Sequence, residues 1–193
     1  MTKMMTEIRT SYRGDLSGVK KFLQFLGLDG TSTKHYVAAD RILGFNSEGR
    51  AALRWEENGI PPHVHTLMNY LMRYGTDLAE ELASKRDVVI AEAQKNYVKT
   101  KYYKTKALKA STFKVPAMRV LDWRQKHGLS QARLDRVFGF TSLGRSCRLW
   151  EDTGAPPYVE FFMAYVDKYG IELAESLVSE RGQKIPLKAT GND

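Results

Sequence analysis

From position 115 onward apolar residues return every three or four positions, and glycine or proline closes each run, which is the spacing of amphipathic helices. The run over 115–127 offers Met118, Val120 and Leu121 as an inward face and stops at Gly128. Ser130 is placed to cap a short helix over 131–138 that ends at Gly139. A helix over about 144–152 follows, then a Gly-Ala-Pro-Pro break, a strongly apolar helix over 158–169, and a last one from Ile171. Glycine suits the helix ends and Pro157 a first turn. No period-two alternation competes, so the predicted fold class is all-α.

The N-terminal half repeats this pattern. Positions 40–86 align with 135–181 without a gap at an offset of 95, with 23 identities in 47 positions. "GRAALRWEENGIPP" at Gly49 and "GRSCRLWEDTGAPP" at Gly144 are the most alike, yet Arg and Leu exchange places just before the tryptophan. The first copy has an opening helix within 15–27 and extra residues, "LDGTST", before its second helix. A unit this long in two copies predicts paired domains rather than a solenoid of short repeats. The expected division is a first domain over 15–86, a basic linker over 87–114, a second domain over 115–181 and a tail over 182–193.

Composition narrows the partners. The chain carries 30 Lys and Arg against 22 Asp and Glu, a net charge of +8, which favours a polyanion. Between Lys85 and Lys114 there are nine basic and two acidic residues, so nearly all of the excess lies between the repeats. Lys99, Lys101, Lys104 and Lys106, interleaved with Tyr97, Tyr102, Tyr103 and Phe113, fit an extended phosphate-binding arm at least as well as a helix. A solvated linker is the plainer alternative. The single cysteine, Cys147, allows no intramolecular disulfide. With no signal-like start and no long apolar run, the expectation is a cytoplasmic protein, nucleoid-associated when bound, without a membrane partner.

"LSQARLDRVFGF", over 129–140, resembles the first helix and turn of the helix-turn-helix in the lambda repressor and Cro-like (Xre-like) DNA-binding family. The matching residues are Ser130, Gln131, Ala132, Leu134, Val137, Gly139, Trp150 and Glu151, and through the repeat the likeness extends to the first copy. Independent physics agrees. A tight turn between two helices needs a residue that accepts positive φ, and Gly44 and Gly139 stand there. Leu134, Val137, Ala52 or Cys147, and Trp55 or Trp150 form an inward face at helical spacing. Eleven positions separate the turn glycine from the tryptophan in both copies, because "FNSEG" and "FTSLG" lengthen the family's usual turn.

The resemblance implies two tandem helix-turn-helix domains of about five helices each, whose recognition helices enter the major groove of double-stranded DNA. Arg50 and Arg145 open those helices and are the leading base readers, since arginine can bond guanine O6 and N7 together. Outward positions fall on Ala51, Leu53 and Arg54 in the first copy and on Ser146, Arg148 and Leu149 in the second. The exchange of Arg and Leu moves the second arginine by about 100° around the helix, so the copies are expected to read different half-sites. Gln131 is carried over as a phosphate contact, with Tyr36 as its less characteristic counterpart. Asn46, Ser47, Thr141 and Ser142 in the turns are expected to cap the recognition helices or to reach phosphate.

Other chemistry is not expected. His63 and His65 form an HxH pair that becomes Tyr158 and Glu160 in the second copy, which argues against a metal. Neither a cofactor nor an enzymatic constellation is expected. The stripes Val64, Leu67, Met68, Leu71 and Val159, Phe162, Met163, Val166 read as core, and Phe161 in place of Thr66 as a contact between the domains or a dimer surface. The expected function is a sequence-specific bacterial or phage transcriptional regulator. The alternatives are a DNA-organising factor in replication, partition or transfer, and an antirepressor or antiactivator whose first domain binds protein. A homodimer stays open.

Overall fold

The computed structural model describes residues 17–28, 32–45, 48–99 and 114–179. Every named element among them is an α-helix: α1 Ser17–Phe25, α2 Thr33–Ile42, α3 Arg50–Asn58, α4 Pro62–Tyr74, α5 Asp77–Lys99, α6 Ala117–Lys126, α7 Gln131–Val137, α8 Arg145–Thr153, α9 Tyr158–Tyr169 and α10 Ile171–Ser179. The first five and the last five follow the same order. One isolated bridge, Val115 with Ala155, ties the start of the second repeat to the turn after α8. No helix among the described residues is long and apolar enough to cross a membrane.

Both predicted stripes are core. Val64, Leu67, Met68 and Leu71 on α4 and Val159, Phe162, Met163 and Val166 on α9 are buried, as are Leu134, Val137, Ala52, Cys147, Trp55 and Trp150. Ser130 Oγ accepts the Arg133 amide at 3.2 Å, the cap that its position suggested.

One expectation needs correction. On α6 the buried residues are Val120 and Trp123, whereas Met118 is 62% exposed. Two steps along a helix turn about 200°, so Met118 cannot share a face with Val120, and the larger Trp123 one turn on decides which face goes in. The segment expected as a linker from 87 begins as a continuation of α5, which is helical to Lys99. It contains no glycine or proline, so nothing in its sequence stops the helix begun at Asp77. Lys101, Lys104 and Lys106 lie outside the described residues.

The repeats pack on each other through positions that correspond. Tyr70 meets Tyr165 at 5.2 Å between ring centroids, Tyr74 meets Tyr169 at 4.3 Å and His63 meets Tyr158 at 5.6 Å. In each pair the partners are 95 positions apart, the offset of the repeat. Off this line the contacts are reciprocal: Phe45 stacks on Tyr158 at 4.7 Å and Phe140 on His63 at 4.2 Å. At the level of whole helices α4 touches α9 and α10, and α9 touches α4 and α5. Self-paired positions flanked by reciprocal ones are the signature of a twofold relation.

Because equivalent residues meet at several successive points along α4 and α9, these helices run side by side in the same direction. Their N-termini lie at one end of the molecule, and α3 and α8, which precede them by a short turn, are brought to that same end. Phe161 is part of the contact between the repeats. A Cβ on Gly44 would lie 2.9 Å from its ring and 2.8 Å from Tyr158 Cα, and Gly44 has φ +77°. Arg86 from α5 also lies over the Phe161 ring, its guanidinium carbon 5.7 Å from the centroid.

Candidate nucleic-acid interface

The N-termini of α3 and α8 are held by a residue that the sequence reading passed over. Asp40 on α2 is fully buried, and its carboxylate accepts the amides of Gly49 at 2.9 Å, Ala51 at 3.3 Å and Ala52 at 2.9 Å. Asp135 on α7 does the same for Gly144 at 2.7 Å, Ser146 at 3.3 Å and Cys147 at 2.9 Å. A negative charge at the positive end of the helix dipole, spread over amides with no intrahelical partner, is a strong cap. It also sets the angle between the two helices.

The repeated glycine before each arginine has a related cause. Gly49 and Gly144 are left-handed, with φ +86° and +95°. A Cβ there would lie 3.1 Å from Tyr36 Cβ or from the Ala132 amide nitrogen, a tight approach, so the helix start rests closely on the preceding helix.

Among the described residues, the amides at both helix starts are taken by Asp40 and Asp135. Ser142 Oγ donates to Asp135 and lies 2.6 Å from Ser146 Oγ, which commits both hydroxyls to the network behind the helix start. Thr141 is exposed beside it. Asn46 and Ser47 lie outside the described residues.

At their other ends the helices are tied back through Glu56 and Glu151. Glu56 accepts the Tyr36 hydroxyl. Glu151 accepts Arg124 Nε at 2.5 Å and Gln131 Nε2 at 2.6 Å, and Cys147 Sγ lies 3.6 Å away. Tyr36 and Gln131, expected at phosphate, each spend a donor on the third helix of their own repeat. Burial opposes the charged form of Glu151, yet the bonds from Arg124 and Gln131 and the arginine's charge outweigh it and hold the carboxyl below its usual range. Burial first, and then Glu151, push the Cys147 thiol up to about 12.

What remains on the outside is the predicted reading face. Arg50, Arg54, Arg145 and Arg148 are exposed, Ala51 and Ser146 are half-buried, and Leu53 and Leu149 are 43% and 57% exposed. Arg50 pairs with Glu48 at 3.3 Å. Leu143, the residue before Gly144, is 75% exposed at φ +53°. Lys99 ends α5.

The chain matches no family model, no curated protein and no solved structure. The site therefore stands on its geometry. His63 and His65 are engaged elsewhere: His63 stacks on Phe140, and His65 Nδ1 lies 3.3 Å from Asn69 Nδ2. Asp40 and Asp135 carried one signal in the sequence, an Asp-Arg pair repeated at the same distance before the turn glycine in both copies.

Proposed function

We propose that the chain is a sequence-specific double-stranded DNA-binding regulator in which each repeat is a lambda repressor or Cro-like helix-turn-helix domain. α3 and α8 are the recognition helices, and Arg50 and Arg145 are their shared guanine readers. The observation that carries this reading is the placement of both arginine-bearing helices at one end of a pseudo-twofold unit. B-DNA presents its own twofold axes perpendicular to its length, with major grooves about 34 Å apart on one face. A protein twofold of this kind matches an inverted pair of half-sites, and the unlike outward residues of α3 and α8 make those half-sites unlike in sequence. The net positive charge supports phosphate contact across the complex.

Selecting bound duplexes from a random pool tests the proposal. Two different half-sites in inverted orientation are expected. A direct repeat is incompatible with the twofold reading, and failure to hold any duplex at low salt removes the DNA reading altogether.

A second reading has one observation in its favour. Glu48 sets a carboxylate beside Arg50, where the second repeat has Leu143. A first repeat with this weakened cationic face suits an antirepressor that holds DNA through α8 and a protein through α3. Specific binding that survives Arg50→Ala and is lost in Arg145→Ala selects this alternative.

A further inference from the structure

Leu143 stands out on two independent counts. It is the most exposed of the large hydrophobic residues among the described ones, at 75%. It also has φ +53°, a left-handed backbone that a leucine adopts only at a cost and that asparagine or glycine adopts readily. Its counterpart Glu48 has φ +54°, so the conformation belongs to the turn in both repeats, whereas the choice of leucine belongs to the second alone. Neither the core nor the cap uses this side chain. A residue that is strained and exposed at once is kept for what it meets outside the fold.

Leu143 immediately precedes Gly144, the cap position of α8, and stands two residues before Arg145, at the leading edge of the proposed recognition helix. The apolar feature offered by a major groove is the C5-methyl group of thymine. We propose that Leu143 reads a thymine methyl at the edge of the second repeat's half-site, beside the base pair that Arg145 reads. The proposal rests on the DNA-binding reading above and gives the second half-site a thymine that the first, with Glu48, does not select.

The test uses the full chain and its selected duplex, with each thymine of the half-site replaced in turn by uracil, which pairs identically and lacks only the methyl. At one position the wild type is expected to lose about fourfold in affinity, the worth of one buried methyl group. Leu143→Asn and Leu143→Gly are expected to bind the thymine and uracil duplexes equally and to melt higher than the wild type, because each relieves the left-handed strain. A wild type that binds specifically but ignores every methyl overturns this proposal alone, as does a variant that keeps the wild-type ratio. A wild type that holds no duplex specifically overturns the DNA reading itself.

Discussion

The two repeats build the same frame and dress it differently. In both, a buried aspartate caps the third helix, a left-handed glycine seats it on the second, and a tryptophan anchors it in the core. The parts facing solvent differ: Glu48, Leu53 and Arg54 in one, and Leu143, Arg148 and Leu149 in the other, with the half-buried Ala51 and Ser146 differing beside them. Ties behind the helix differ too. Glu56 takes the Tyr36 hydroxyl, whereas Glu151 gathers Arg124, Gln131 and the Cys147 thiol. The frame is thus separable from the surface it presents, which is the division of labour that two different half-sites require.

The shared frame is the part to break first. Asp40→Ala and Asp135→Ala each strip a buried charge from three amides, and the loss of such charge-assisted bonds, with donors left unpaired, is expected to cost about 3 kcal/mol of stability. Urea unfolding measures it. In Asp135→Ala the Ser142 hydroxyl loses its acceptor as well. A change within about 0.5 kcal/mol in either variant removes the aspartate from the frame.

Base reading is the next largest effect. Arg50→Ala and Arg145→Ala are each expected to weaken specific binding by about 1–3 kcal/mol, roughly 5- to 150-fold, with little change in stability because both side chains are exposed. Titration against the selected duplex and a scrambled one separates specific from electrostatic loss. Equal effects keep two reading heads, and an effect confined to Arg145 makes the first repeat something else.

Much of this frame was legible in the chain and some was not. Helix positions follow from apolar spacing and from glycine and proline, and the stripes on α4 and α9 are core because the period leaves them no other face. Met118 misled because it and Leu121 share helical spacing, yet Val120 and Trp123, three apart on another face, are the pair that is buried. The role of Asp135 is invisible to periodicity, since its partners are backbone amides nine to twelve positions away. The twofold was equally hidden. It depends on Gly44 leaving room for Phe161 and on tyrosines meeting their own counterparts, and neither is a property of one repeat read alone.

The different ties can be sharpened by acid. The Glu151 carboxyl is held below its ordinary value of 4.5, so its contribution is fully present above that pH and is lost as pH falls through the lower, folded value. Glu151→Gln, which keeps the shape but gives up the charge, is expected to cost about 1.5 kcal/mol near neutrality. The gap between variant and wild-type melting temperatures should close as pH is lowered below 4.5. A gap that persists unchanged in acid places the cost in packing rather than in the charged bonds to Arg124 and Gln131.

The smallest expected effect on stability bears most directly on what the difference is for. Leu53→Arg with Arg54→Leu gives the first repeat the order of the second, "RLW", without touching the buried Ala52 or Trp55. Positions 53 and 54 are both exposed, so unfolding should shift by no more than about 0.5 kcal/mol. Affinity for the original duplex should fall, and a duplex whose first half-site is replaced by a copy of the second, still inverted, should gain. If the exchange leaves the preference between these duplexes unchanged, the order of Arg and Leu is incidental and discrimination lies in Glu48 against Leu143 and Ala51 against Ser146. If the preference moves, one transposed pair on a common frame is enough to make two half-sites unlike.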